Sequence, residues 1–294
     1  MNDAILSVRD LVVEFEVREG KLRSVDHVSF DIPKGSFMGL IGESGCGKTT
    51  IVDAIVNIMP ENGYIRQGKV IFEGRDILTL SPEEQRRLRW EEIAMVFQAA
   101  QNSLNPVLRV WDQMADTVLA HRKASKDWIE ERARELLSLV HLAPDQVLPA
   151  YPHELSGGMK QRVIIAASLL LDPKILILDE PTTALDLISQ AYLMEMLREI
   201  HHELGITMLM VTHDVSNVAK VAERVAVMYA AKILEVGSTE DIFYRARHPY
   251  TVGLINAIPS IVGDLSSKKP IPGLPPSLIN PPPGCRFHPR CPLA

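Results

Sequence analysis

Eight residues, Gly42-Glu43-Ser44-Gly45-Cys46-Gly47-Lys48-Thr49, say more about what this chain folds into than its composition does. They fit GxxxxGK[ST] at every fixed position, after the apolar run Phe37 to Ile41 and before a helical pattern over Thr49 to Met59. Ile51, Val52, Ile55, Val56 and Met59 share one face of that helix. Glycines let the backbone curl so that successive N–H groups point at phosphate oxygens, and the helix N-terminus adds a favourable dipole. Lys48 is expected to bring a point charge to the β- and γ-phosphates, and Thr49 a hydroxyl for Mg²⁺. The stretch from Gly42 to Thr50 is therefore the expected nucleotide cradle. Cys46 occupies a permissive position in it and reads as a spectator thiol.

A second pattern supplies acids. Ile175-Leu176-Ile177-Leu178-Asp179-Glu180 is an apolar strand ending in two carboxylates, at the sheet edge where ligands of open α/β folds sit. Asp179 is expected to hold the Mg²⁺ shell, and Glu180 to orient or deprotonate the attacking water. His213 follows the strand Thr207 to Val211 and is expected at the same edge, within reach of the γ-phosphate or of Glu180.

The rest of the chain alternates. Leu6 to Val17 and Ser24 to Ile32 read as strands, Val110 to Leu171 as largely helical, and Ile206 to Val211 and Arg224 to Met228 again as strands. Leu187 to Glu203 and Asp214 to Val221 carry helical patterns between them, so a parallel sheet covered on both faces follows. In the helical insertion Trp128, Ile129, Ala133, Leu136, Leu137 and Val140 keep helical spacing. The last 25 residues hold nine of the twenty prolines, which predicts an irregular appendix outside the core.

Leu155-Ser156-Gly157-Gly158-Met159-Lys160-Gln161-Arg162 closely resembles the LSGGQ signature of ABC ATPases. Gln98 in VFQ, Ala184-Leu185-Asp186 and Thr212-His213-Asp214 match that family's Q-loop, D-loop and H-switch in order. The resemblance covers about residues 4–260. It implies the two-lobed ABC fold of the P-loop NTPases: a mixed β core with a parallel sheet, plus a helical subdomain at about 99–170. It also implies that Ser156, Gly157 and Gly158 touch the γ-phosphate held by a second ATPase subunit, homologous or identical, so that two chains sandwich two ATPs. Phe15 looks like the aromatic that stacks on adenine. Gln98 joins Thr49 and Asp179 around Mg²⁺, and Glu180, His213 and Gln98 form the implied catalytic set.

Ser103-Leu104-Asn105-Pro106, Tyr151-Pro152-His153-Glu154, His248-Pro249-Tyr250-Thr251 and Cys285-Arg286-Phe287-His288-Pro289-Arg290-Cys291-Pro292 resemble the dipeptide and oligopeptide importer ATPases. That likeness implies two transmembrane permease subunits, an extracellular substrate-binding protein and a short-peptide cargo, with oligosaccharides or nickel as alternatives. Met159 stands where the general signature has Gln, a departure this subfamily tolerates. The subfamily tail, here 261–294, is expected to continue beyond Ala294. Cys285 and Cys291 read as free thiols, and an iron–sulfur cluster belongs only to a longer native chain, because two cysteines cannot complete a four-thiolate shell.

Composition narrows the alternatives. A chain of 294 residues, 46% hydrophobic, can bury a sizeable core, and a net charge of -6 gives no global reason to bind nucleic acid. The three cysteines do not suggest a secreted disulfide framework. No apolar run reaches the roughly 18 residues of a membrane span. With no export signal at the N-terminus, the expected place is the cytoplasmic face of the cell membrane, reached through partners. Two rival classes remain at this stage: a soluble ABC protein acting on ribosomes or in DNA repair, and a P-loop kinase. The single phosphate loop and the tail disfavour the first, and the signature disfavours the second.

Overall fold

The computed structural model describes residues 3–257 and 271–294. The chain divides into two compact units, Met1–Leu80 with Val211–Ala294, and Ser81–Met210. The expected boundary near residue 260 lies outside the described residues.

The first unit opens with β1 (Ala4–Val17) and β2 (Gly20–Pro33), paired antiparallel. It continues through β3 (Phe37–Ile41), α1 (Lys48–Val56), β4 (Gly63–Phe72) and β5 (Arg75–Asp76). One sheet has the order β2-β1-β4-β5. On β2 Val28, Phe30 and Ile32 are buried in period-2 alternation, whereas β1 is buried on both faces over 5–8 and 11–13. β4 is not singled out by the sequence, because Gly68 and its charged neighbours break the alternation. Gly68 takes a positive φ of 101°, beside the register shift between Arg9 and Val12 on β1. α1 stops at Val56 because Asn57 turns left-handed, with φ 51°. Met59, the last residue of the expected helix, therefore lies beyond the observed one and is only half-buried, while Ile51, Val52, Ile55 and Val56 are buried as expected.

The second unit holds α2 (Pro82–Glu91), β6 (Ile93–Val96), α3 (Val110–Leu119), α4 (Lys126–Leu139), α5 (Pro144–Val147), α6 (Gly157–Ser168), β7 (Ile175–Asp179) and α7 (Leu187–Leu204). β6 and β7 pair in parallel, and every residue of both is buried. That accords with the continuous apolar run of a strand covered on two faces. Each fully buried Leu, Ile or Val stabilises by about 1.5–3 kcal/mol. α2 starts on a capping box, Ser81 with Glu84, and α7 ends at Gly205 with φ 59°. On α4 the face Ile129, Ala133, Leu136 and Leu137 is buried. Trp128 departs from the expected stripe: it is 37% exposed and lies under the Arg122 guanidinium at 4.4 Å.

β8 (Thr207–Thr212) carries the chain back into the first unit, which finishes with α8 (Val215–Val221), β9 (Arg224–Tyr229), β10 (Lys232–Ser238), α9 (Thr239–Tyr244) and α10 (Pro249–Asn256). β9 runs parallel to β3 and antiparallel to β10. The proline-rich tail is irregular as expected, with one short 3₁₀ turn at His288–Arg290. It is nevertheless not outside the core, since Phe287, Arg286 and Arg290 are all buried.

Candidate nucleotide site

β3 ends in the phosphate loop because Gly42 and Gly47 tolerate what other residues do not. A Cβ on Gly42 would stand 2.1 Å from the Met228 carbonyl oxygen, and one on Gly47, at φ 110°, would stand 2.0 Å from that of Ser24. Gly47 caps α1 without a side-chain hydrogen bond, which leaves the first-turn amides for a ligand. Lys48 is 5% exposed, and its ammonium donates to the carbonyls of Gly42 at 2.8 Å and Glu43 at 3.1 Å. The loop therefore holds a buried cation on its own carbonyls, a fit for an anionic ligand. Ser44, Gly45 and Thr49 are exposed, and Thr50 is half-buried.

Cys46 is buried with Sγ 3.9 Å from Lys48 Nζ. Burial pushes its thiol pKa up, against the lowering effect of Lys48, and so disfavours the reactive thiolate. Phe15, half-buried on β1, lies against Gly63: a Cβ there would meet its ring at 2.9 Å. His213 is exposed in the turn between β8 and α8. Thr212 Oγ1 accepts from the Asp214 amide at 3.0 Å, and Asp214 caps α8 through the Ser216 amide at 3.0 Å. Phe15, Gly42 to Thr50 and His213 thus all belong to the first unit.

The second unit carries the remaining predicted residues: Gln98, Ser156 to Gly158, Asp179 and Glu180. Asp179 closes β7 and is 1% exposed. Glu180 follows in the left-handed region at φ 49°, an uncommon conformation for a residue with a side chain that recurs at functional sites. Gln98 is exposed just beyond β6. Ser156 is the N-cap of α6, its hydroxyl accepting from the Met159 amide at 3.3 Å, with Gly157 and Gly158 as the first helical residues. Leu155, buried, anchors the turn, whereas Ser156 and Gly157 are exposed. A cavity of about 410 Å³ in this unit is lined by Ser156, Gly157, Gly158, Ala184, Leu185 and Asp186, so the signature and D-loop segments share one concavity. Asp186 caps α7 through the Ile188 and Ser189 amides, both at 3.0 Å, and those hydrogen bonds, Ser189's first, hold its carboxyl below the usual range.

Among the described residues no three His, Cys, Asp or Glu side chains gather as a metal nest. Mg²⁺ does not need one, because it keeps several waters and takes only a few hard oxygen donors, the type Thr49, Asp179 and Gln98 offer. An iron–sulfur cluster does not fit: the chain has three cysteines, and Cys46 belongs to the phosphate loop. Cys46, Cys285 and Cys291 are free thiols.

The sequence reading missed what stands behind the loop. Glu43 donates its amide to the Tyr250 hydroxyl at 3.1 Å, and its carboxylate accepts from Arg290 at 2.9 Å. Tyr250 and Arg290 lie in two of the quoted importer-like segments, but nothing in either segment says what it touches.

The family model described as ABC transporter matches residues 25–183. The chain is an ABC transporter family member. A second model, the C-terminal region of oligopeptide/dipeptide transporters, matches residues 234–294 of this ABC protein. It is 50% identical over 291 residues to the dipeptide transport ATP-binding protein DppD of Caldanaerobacter subterraneus, covering 99% of this chain and 89% of the relative. It is 42% identical over 293 residues to the oligopeptide transport ATP-binding protein OppD of Escherichia coli, covering 99% and 87%. Among solved structures, the dimeric ATP-binding cassette MJ0796 in a post-hydrolysis state bound to ADP and Pi superposes with a TM-score of 0.70 at 27% identity, over 80% of this chain and 98% of that one. The fold is that of an ABC ATPase cassette.

Proposed function

We infer that this ABC protein is the ATP-hydrolysing subunit of an importer of dipeptides or oligopeptides. The observation that carries the ATPase half of this reading is the Ser156 to Gly158 turn, an exposed helix start built like an anion cap and carried by the second compact unit, whereas the phosphate loop belongs to the first. The peptide half is supported by the match of 234–294 and by the relatives named as dipeptide and oligopeptide transport proteins.

In this reading Gly42 to Thr50 hold the triphosphate and Phe15 stacks on adenine. Thr49, Asp179 and Gln98 would hold Mg²⁺, which when bound neutralises charge on the β- and γ-oxygens. Glu180 orients the attacking water and takes its proton, while His213 donates to the γ-phosphate. Ser156, Gly157 and Gly158 cap the γ-phosphate of a partner ATPase subunit, and the partner's equivalent turn caps this one's. The bound ATP thus favours the closed dimer by its differential affinity, and hydrolysis removes the bridge. The surface around 99–108 receives the permease subunits.

No described helix is long and apolar enough to cross a membrane. In this reading the chain works as a peripheral subunit on the cytoplasmic face, beneath two transmembrane permease subunits fed by an extracellular substrate-binding protein. The test is uptake into vesicles by the purified complex, with labelled peptides, an oligosaccharide and nickel supplied side by side. ATP-dependent accumulation of peptide alone is expected, and accumulation of sugar or nickel in its place overturns the cargo assignment.

A further inference from the structure

The first x position of the phosphate loop is an acid, Glu43. A carboxylate in a cradle built for phosphate opposes its own ligand unless it is turned away and neutralised. Both conditions are met by residues far away in sequence. Arg290, 8% exposed, donates from Nη1 to Glu43 Oε2 at 2.9 Å and to the Tyr229 hydroxyl at 3.2 Å, and from Nε to the Pro272 carbonyl at 2.8 Å. The Glu43 amide donates to Tyr250, and its carbonyl accepts from Lys48, at 3.1 Å each. Glu43 is thus held through side chain, amide and carbonyl.

The mount beneath it is buried. Phe287, 1% exposed, meets Tyr229 and Tyr250 edge-on, each at 5.4 Å between ring centroids. Arg286 donates to the Ala230 carbonyl and, at 2.6 Å, to Asp26. The next residue along, Ala231, donates its amide to the carbonyl of Cys46 inside the phosphate loop at 2.9 Å. The 286–290 segment therefore braces the loop at both Glu43 and Cys46.

We propose that Arg290 is a positioning residue for ATP binding, acting through Glu43: it neutralises this carboxylate and fixes the opening residue of the phosphate loop. The C-terminal segment is then part of the nucleotide site's support, and whatever displaces it weakens ATP binding. This inference rests on the ATPase reading above.

The experiment measures KM and kcat for MgATP in the assembled transporter. Arg290→Ala is expected to raise KM about tenfold with kcat within about threefold, because the loop's affinity and not its chemistry is disturbed. Arg290→Lys, which keeps the charge beside Glu43, is expected to recover most of the loss. In a Glu43→Ala background the same Arg290→Ala change should alter KM less than about twofold, since the group it acts through is gone. Arg290→Gln keeps the stem as far as the Nε position, and with it a donor for Pro272, without the charge or the reach to Glu43, and serves if the alanine variant does not fold. An unchanged KM, a loss confined to kcat, or an equal loss with and without Glu43 overturns the proposal. If the unaltered complex hydrolyses no ATP, the ATPase reading itself has failed, which is a separate outcome.

Discussion

Arg286→Ala tests the docking of the tail in a way the structure makes quantitative. The guanidinium is 5% exposed at the side chain and faces Asp26, itself 7% exposed, at 2.6 Å, with a second bond to the Ala230 carbonyl. Leaving a buried charge wholly unpaired costs about 3–5 kcal/mol. Asp26 is not left so, because Arg23 at 3.1 Å and Lys232 at 3.3 Å remain. The loss is then nearer that of one or two charge-assisted hydrogen bonds, about 2–3 kcal/mol, or roughly 4–8 °C in Tm. Differential scanning calorimetry of the purified chain with and without the substitution reads this directly. The sign with pH is also set. Burial alone would raise the Asp26 pKa, but hydrogen bonding to Arg23 and the charges of Arg286 and Lys232 bring it below the ordinary carboxylate value. A depressed folded pKa contributes stability above the unfolded value, near pH 4, and loses it as pH falls through the folded one. The difference between wild type and variant should therefore be full near pH 7 and shrink below about pH 4. A Tm change under about 1 °C at pH 7 would show that this contact does not secure the tail.

Three further outcomes are expected. Lys48→Ala removes the cation held on the Gly42 and Glu43 carbonyls and should weaken ATP binding by about a hundredfold or more, read by titration calorimetry; retained affinity would remove this loop from the site. Glu180→Gln should keep ATP affinity while lowering kcat by about 10²–10⁴, with phosphate release as the assay, and full turnover would refute its role as base. Ser156→Ala loses the N-cap of α6, about 1 kcal/mol of stability, and should also reduce ATP-dependent closure of the dimer by light scattering; undiminished closure would separate this turn from the nucleotide.

Much of the site was legible because its chemistry is local. A strand, a glycine turn and a helix start are neighbours in sequence, so Phe37 to Val56 could be read without knowing the rest of the fold. β7 was legible for the same reason: five consecutive buried residues ending in Asp179 leave few alternatives to a covered parallel strand. β4 was not, since Gly68, at a positive φ of 101°, and the charged residues near it break the alternation on which a strand is recognised. Trp128 kept the spacing of the buried face but pairs with Arg122 at the surface, a choice that helical period alone does not make. The tail shows the limit most clearly. Its prolines correctly forecast an irregular path, but burial of Phe287 between Tyr229 and Tyr250, and the reach of Arg290 to Glu43, are contacts between residues far apart in the chain that no local pattern encodes.

Cryo-electron microscopy of the assembled transporter carrying Glu180→Gln, with Mg²⁺ and ATP, would reach furthest into this picture. Each triphosphate should lie between the glycine loop of one ATPase subunit and the Ser156–Gly158 turn, or its counterpart, of the other. Serine-glycine turns directed away from both nucleotides would contradict it.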